Sequence, residues 1–368
     1  MNSSAAAPEL ALDARYYTDP QVYEQEKEQI FFRTWQYAGH TSRLEKPGDY
    51  FAFQVCDQNL FALRDTDGEI RAFYNVCQHR AHELLSGSGN TRFVVCPYHA
   101  WSYHTNGQLR RAPNSETVLG FDASKICLHE VRTEVFCGFL FVNLDADTKP
   151  MAEWYPKAAD ELREYVPDFE RLRPLVRTEA EEACNWKVTV ENYNECYHCR
   201  MAHPTFVKGV VEPDSYNVLP QGYCLRHTTR TVPAKNLSYA YDPESHPHAT
   251  DYSSWFLWPS FSFQVYPGNV LNTYHWFPHT PTTTTAYREW LTPDGAESEA
   301  VRGLAQQDLE TTVAEDVLLV NSVQRGLHNR GYRPGPLVLD PATGVNSEHS
   351  ILALKQWVLE STTATHPE

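Results

Sequence analysis

The chain has 368 residues, an apolar fraction of 42% and a formal charge of −16, enough for one large or two ordinary domains with a sizeable core. The acidic balance argues against a nucleic-acid partner, and no apolar stretch approaches the length of a membrane span. The opening MNSSAAAPELALDARYY lacks a basic leader followed by an unbroken apolar centre, so a soluble, cytoplasmic protein is expected, with its nine cysteines as buried thiols or metal ligands.

In chain order, Asp19-Pro20 opens a helix predicted to run to about Tyr37, with an N-cap followed by proline in the first turn. From Gly48 to about Leu144 the texture becomes β-like, in short runs such as YFAFQV, LFALR, IRAFYNV and FCGFLFVNL. Turn signals at Asp67-Gly68 and Asn106-Gly107 punctuate them. Helices are predicted near Met151 to Tyr165 and over Asn185 to Ala202. Strand-like aromatic sequence fills 220 to 292, and a long helix covers about Glu297 to Leu327. A final amphipathic helix starts near Ser347 and carries Ile351, Leu354, Trp357 and Val358. There is no internal repeat.

Within the β-rich part, CQHRAHELLSGSGNTRFVVCPYH begins and ends with a cysteine–histidine pair, Cys77-x-His79 and Cys96-x-x-His99. A zinc finger groups its cysteines before its histidines. One sulfur and one imidazole at each of two loop tips fits a [2Fe–2S] centre of Rieske type, thiolates on one iron and imidazoles on the other. A structural zinc site, in a binding protein without redox chemistry, is the alternative from another class.

A second constellation lies in NWKVTVENYNECYHCRMAHP, residues 185 to 204. On a continuous helix Val188, Glu191, Glu195 and His198 share a face, beside an apolar stripe of Trp186, Val190, Tyr193 and Tyr197. Pro204 disfavours helical geometry at His203, so the helix ends there and lets both imidazoles converge. Zinc through Cys196-x-x-Cys199 is the rival reading. On the long C-terminal helix, Leu309, Val313, Asp316, Val320, Val323 and Leu327 recur at helical spacing. An acid inside that stripe, Asp316, needs a compensating cation, whereas Glu315 falls off it. Two histidines and one carboxylate are the donor set of a non-haem iron site.

Together these motifs resemble the large subunit of the Rieske non-haem iron, aromatic-ring-hydroxylating oxygenases. The resemblance rests on C-x-H-R, C-x-x-H and E-x-x-H-x-x-x-x-H, with Ala81 where the family has glycine and Glu195 where most members have aspartate. AFYNVCQHRAHELLSGSG, ENYNECYHC, SVQRGLHNRGY and NSEHSILALKQWV are similar to the branch that oxidises quaternary ammonium compounds.

The resemblance implies an α+β protein of a small all-β Rieske domain at 43–150 and a helix-grip catalytic domain at 151–368. The latter is an antiparallel sheet with a long C-terminal helix, and residues 1–42 form a helical arm packed on it. It implies Cys77, His79, Cys96 and His99 on the cluster, and His198, His203 and Asp316 on a mononuclear iron. Glu195 becomes a bridge for electrons between subunits of a homotrimer. The implied reaction is an EC 1.14-type one. O2 and NAD(P)H electrons from a separate flavin/iron–sulfur reductase hydroxylate a C–H beside the nitrogen of a small cationic, betaine- or carnitine-like substrate. An aromatic or other hydrophobic substrate is the alternative within the class. A trimethylammonium group has no N–H to donate and is recognised by aromatic faces, for which Trp258, Phe263, Tyr266 and Trp276 are candidates.

Overall fold

A computed structural model describes residues 7–166, 168–229, 239–342 and 344–363. The chain divides into two compact units. One spans residues 31–150; the other joins the described residues up to Ile30 to those from Met151 onward.

In the second unit, α1 (Arg15–Thr18) and α2 (Pro20–Glu26) open the chain, Asp19 capping α2 by accepting from the Gln21 N–H. The helix predicted to reach Tyr37 ends at Phe31 after one π turn, and Gln36–His40 is a strand instead. Residues 36–40 are all buried, which a helix with one solvent face does not produce.

The 31–150 unit is built from β1 (Gln36–His40), β2 (Asp49–Val55), β3 (Gln58–Arg64), β4 (Ile70–Tyr74) and β5 (Ser88–Asn90). It continues with β6 (Val94–Val95), β7 (Ser102–Tyr103), β8 (Leu109–Arg111), β9 (Glu130–Phe136) and β10 (Phe139–Asn143). Seven of these make one sheet in the order β1-β10-β9-β4-β3-β2-β5, and β6-β7-β8 make a small second one. Phe51, Leu60, Ala62, Ala72, Leu140 and Val142 close one core; Phe61, Leu63, Phe73, Val94 and Tyr103 close another beneath the cysteine loops. The Asn106-Gly107 turn is as the sequence predicts. Gly107 has φ +86°, and a Cβ there would meet the Phe73 ring at 2.7 Å, so only glycine fits.

The other unit has a seven-stranded antiparallel sheet in the order β11-β17-β16-β15-β14-β13-β12. Its strands are β11 (Leu172–Glu182), β12 (Asn217–Gln221), β13 (Cys224–Thr228), β14 (Ser253–Leu257), β15 (Phe261–Tyr266), β16 (Val270–Thr280) and β17 (Thr283–Pro293). The predicted 151–165 helix is two pieces, α3 (Met151–Trp154) and α4 (Ala158–Tyr165), with Pro156 between them.

Against the sheet lies α5 (Trp186–Tyr193), which packs on β16 and on the later helix Ala314–Leu327. Asn185 caps α5 by accepting from the Lys187 N–H at 3.0 Å. The helix predicted to continue to Ala202 stops at Tyr193. The chain turns through Asn194–His198 and resumes as α6 (Cys199–Ala202) and α7 (Pro204–Gly209). The predicted common face of Glu191, Glu195 and His198 is therefore not formed. Glu191 instead accepts from the Tyr17 hydroxyl at 2.7 Å on the far side.

The long helix is α8 (Glu299–Asp308), a π turn (Leu309–Val313) and α9 (Ala314–Leu327). The π turn inserts one residue and rotates the predicted stripe. Asp308 and Gln324 are buried, whereas Val323 is half exposed. The chain's last helix is α10 (His349–Thr363).

Candidate metal centres and substrate cavity

The loops after β4 and between β6 and β7 carry the first constellation, and they are built alike. Ala81 N–H donates to Cys77 C=O at 3.0 Å and Ala100 N–H to Cys96 C=O at 3.1 Å. Each loop closes on an alanine in left-handed geometry, φ +55° at Ala81 and +57° at Ala100. The expected loop shape is thus kept at Ala81 without the glycine, at the steric cost a Cβ brings there.

Cys77 and Cys96 are buried, while His79 and His99 are exposed with ring centroids 4.7 Å apart. His79 stacks on Trp101. The Tyr103 hydroxyl accepts from Gln78 N–H at 3.1 Å and is hydrogen-bonded to Cys77 Sγ at 3.2 Å. Burial pushes the Cys77 thiol up, partly offset by the Tyr103 hydroxyl. Two buried sulfurs facing two exposed imidazoles fit a [2Fe–2S] cluster with its histidine edge at the surface.

The second constellation converges as well. Nε2 of His198 and Nε2 of His203 lie 2.9 Å apart, and Asp316 Oδ1 lies 3.1 Å from His203 and 3.5 Å from His198. One ligand atom from each of the three falls within 4.8 Å of the others. His203 Nδ1 is 2.8 Å from Glu315 Oε2, and His198 Nδ1 is hydrogen-bonded to Glu195 Oε1. Each imidazole therefore turns Nδ1 to its own glutamate and Nε2 to the shared point.

The donor chemistry fits a cation at that point. Asp316 Oδ1 is buried without a hydrogen bond from the described protein. Burial would raise the Asp316 carboxyl, but His198 and His203 hold it down to about 2. Burial would lower His198, but Asp316 and Glu195 push it up to about 10. Three carboxylates thus surround two imidazoles, and the set is that of a facial triad.

Glu315 is the residue sequence reasoning missed. It falls off the apolar stripe, yet it is hydrogen-bonded to His203. The adjacency of a second acid to Asp316 was the available signal. The rival zinc reading of Cys196-x-x-Cys199 is corrected: the two sulfurs are joined in a disulfide and so are neither free ligands nor thiols.

Beside the triad is a cavity lined by Glu195, His198, His203 and Asp316 together with Tyr193, Tyr216, Tyr252, Tyr266 and Tyr274. Of the four aromatic candidates from sequence, only Tyr266 is among its described walls. Phe263 lies on the opposite face of β15 from Gln264 and Tyr266, by the two-residue alternation of a strand. Trp276 shares a face with Tyr274 but is covered by the Tyr193 ring at 4.7 Å. Trp258 packs between Trp186 and Trp357. Among the described residues no lysine or arginine lines the cavity.

Residues 34–130 match the Rieske [2Fe-2S] domain, and residues 169–364 match the ring hydroxylating alpha subunit (catalytic domain). The chain is 35% identical to the carnitine monooxygenase oxygenase subunit of Acinetobacter baumannii, over 94% of this chain and 93% of that one. It is 29% identical to the chloroplastic choline monooxygenase of Beta vulgaris, over 93% of this chain and 76% of that one. A solved quaternary ammonium Rieske monooxygenase, described for carnitine oxidation and inter-subunit electron transfer, superposes with a TM-score of 0.87. It shares 32% identity, with 97% and 96% of the two chains covered. No helix among the described residues is long and apolar enough to cross a membrane. The chain is a member of the Rieske non-haem iron ring-hydroxylating oxygenases, oxidoreductases that work with a [2Fe–2S] cluster and a mononuclear iron.

Proposed function

We propose that the protein is the terminal oxygenase that hydroxylates a C–H bond next to the nitrogen of a small quaternary ammonium compound. The observation that carries this reading is the cavity itself. Its walls are tyrosine rings and carboxylates, with the His-His-Asp triad at one side and no lysine or arginine among the described residues. Aromatic faces attract a cation that offers no N–H donor. The named relatives act on carnitine and choline, both of which carry such a head group.

In this proposal Cys77, Cys96, His79 and His99 hold the cluster, and His198, His203 and Asp316 hold the mononuclear iron. When bound, these groups supply single electrons and activate O2. The chain's own residues do the rest. Tyrosine rings seat the cation and keep water from the reacting C–H. Glu195 and Glu315 fix the two imidazoles by their Nδ1 atoms. Glu195, its second oxygen fixed by the Tyr197 and His198 N–H groups, joins His198 to an exposed cluster histidine of a neighbouring copy as an electron route between subunits. Hydroxylation beside the nitrogen gives a carbinolamine that splits into an aldehyde and a tertiary amine.

A homotrimer, a separate reductase and a cytoplasmic setting complete the proposal. Charge supports the docking of copies. Nearly all of the −16 lies outside residues 31–150, where basic and acidic side chains almost balance. Arg80 and Arg92 sit in or beside the cluster loops and suit an acidic neighbour.

The test is aerobic turnover with a matched reductase against carnitine, γ-butyrobetaine, glycine betaine, proline betaine and choline, with products identified by mass. Aldehyde and tertiary amine formed in step with NADH use are expected from at least one of them. Turnover confined to aromatic hydrocarbons would overturn the assignment.

A further inference from the structure

Tyr216 follows the Pro213–Ser215 turn, is buried, and lines the cavity beside the triad. Its hydroxyl has one hydrogen-bond partner among the described residues, Nδ1 of His227 at 2.6 Å. The direction of that bond follows from the two that come after it. Asn194 Nδ2 donates to the Val190 carbonyl at 2.8 Å, which turns the amide oxygen toward His227. Asn194 Oδ1 lies 3.0 Å from His227 Nε2, and a carboxamide oxygen only accepts, so Nε2 carries the hydrogen. His227 is fully buried; burial, and then the charge of Arg226, push it down to about 3, so its ring is neutral. A neutral imidazole has one N–H, and it is spent on Asn194. Nδ1 is therefore a lone pair, and Tyr216 must be the donor.

The Tyr216 proton is thus committed away from the substrate. What the oxygen keeps is its acceptor capacity, in the field of Glu195 and Tyr193, which line the same cavity. Burial, with those two neighbours, holds the phenol well above its ordinary range, so it stays neutral. A free tyrosine hydroxyl can turn its hydrogen toward a ligand, whereas this one cannot.

We propose that Tyr216, oriented through His227 and Asn194, is a specificity-determining residue that seats the substrate's ammonium head and discriminates it from an uncharged group of the same shape. The inference rests on the reading of the cavity as a quaternary ammonium site. The positive charge of such a head is spread over its N-methyl hydrogens, which make C–H···O contacts to an oriented acceptor and cation–π contacts to the ring beneath. A tert-butyl group has the same volume and neither attraction.

The test uses the holoenzyme and measures binding of choline and of its neutral isostere, 3,3-dimethyl-1-butanol. The ratio of the two affinities is read within each variant, so it does not depend on how much protein is folded. Wild type is expected to prefer choline. Tyr216→Phe should lower that preference by about tenfold, with isostere affinity, cluster spectrum and iron content unchanged. Tyr216→Gln, whose amide can donate to His227 and keep its carbonyl for the cavity, should restore part of it. If wild type binds both compounds equally, the cationic-substrate reading itself fails. If wild type discriminates and Tyr216→Phe discriminates as well, that reading stands and the role of Tyr216 is refuted.

Discussion

Two glutamates do the same job at different places in the sequence. Glu195 holds His198 by Nδ1, and Glu315 holds His203 by Nδ1. They differ in what lies beyond them: Glu195 lines the cavity, and Glu315 does not. Glu195→Ala, loaded with excess iron to offset the looser hold on His198, should therefore keep cluster and mononuclear iron but abolish NADH-coupled turnover, as read by iron analysis beside steady-state kinetics. Full turnover would remove the bridge from the proposal. Glu315→Gln should weaken binding of the mononuclear iron by about 10- to 100-fold in a chelator competition, leaving the cluster absorption unchanged. The amide still accepts the hydrogen bond but carries no charge, so an unchanged iron affinity would mean that Glu315 does not tune His203.

At the scale of elements, what the sequence disclosed depended on where the constraint came from. The turns of both cysteine–histidine loops were legible because motif spacing and turn chemistry are local. The Asn106-Gly107 turn and the strands around it were legible for the same reason. The helix breaks were not. Residues 185–202 have helical periodicity throughout, yet the chain turns at Asn194 once its amide and the Cys196–Cys199 link are in place. The π turn at Leu309–Val313 was equally hidden: one extra residue keeps Asp316 on target while moving Val323 out and Gln324 in. Such shifts are set by tertiary packing, which periodicity cannot see. The aromatic strands showed the same limit, since alternation gave faces but not which rings meet the cavity. The loop at Ala81 allows a direct check. Its φ of +55° is the conformation in which a Cβ is costly. Ala81→Gly should leave the cluster spectrum intact and raise thermal stability of the cluster-bearing fold by up to about 1 kcal/mol. Loss of stability there would mean that the alanine methyl packs usefully.

For the molecule as a whole, buried ionisable groups set the pH response. His227 has no exposure and a pKa lowered from 6.5 to about 3, by burial first and Arg226 second. The unfolded chain takes up this proton below about 6.5, whereas the folded chain does not until about 3. Its contribution to stability is therefore lost as pH falls through that window, by about 1.4 kcal/mol per unit. In urea titrations at several pH values, His227→Gln should show a shallower acid loss by that slope, and parallel curves would contradict a neutral His227. In the proposed arrangement one chain organises two separate iron centres, a cluster on Cys77, His79, Cys96 and His99 and a single iron on His198, His203 and Asp316. The most direct measurement is iron content with the electron paramagnetic resonance of the reduced protein, compared between wild type and Asp316→Ala. The variant is expected to keep the full Rieske signal and lose only the mononuclear iron. A variant that retains every iron of the wild type, or a wild type that holds zinc and gives no signal on reduction, would contradict it.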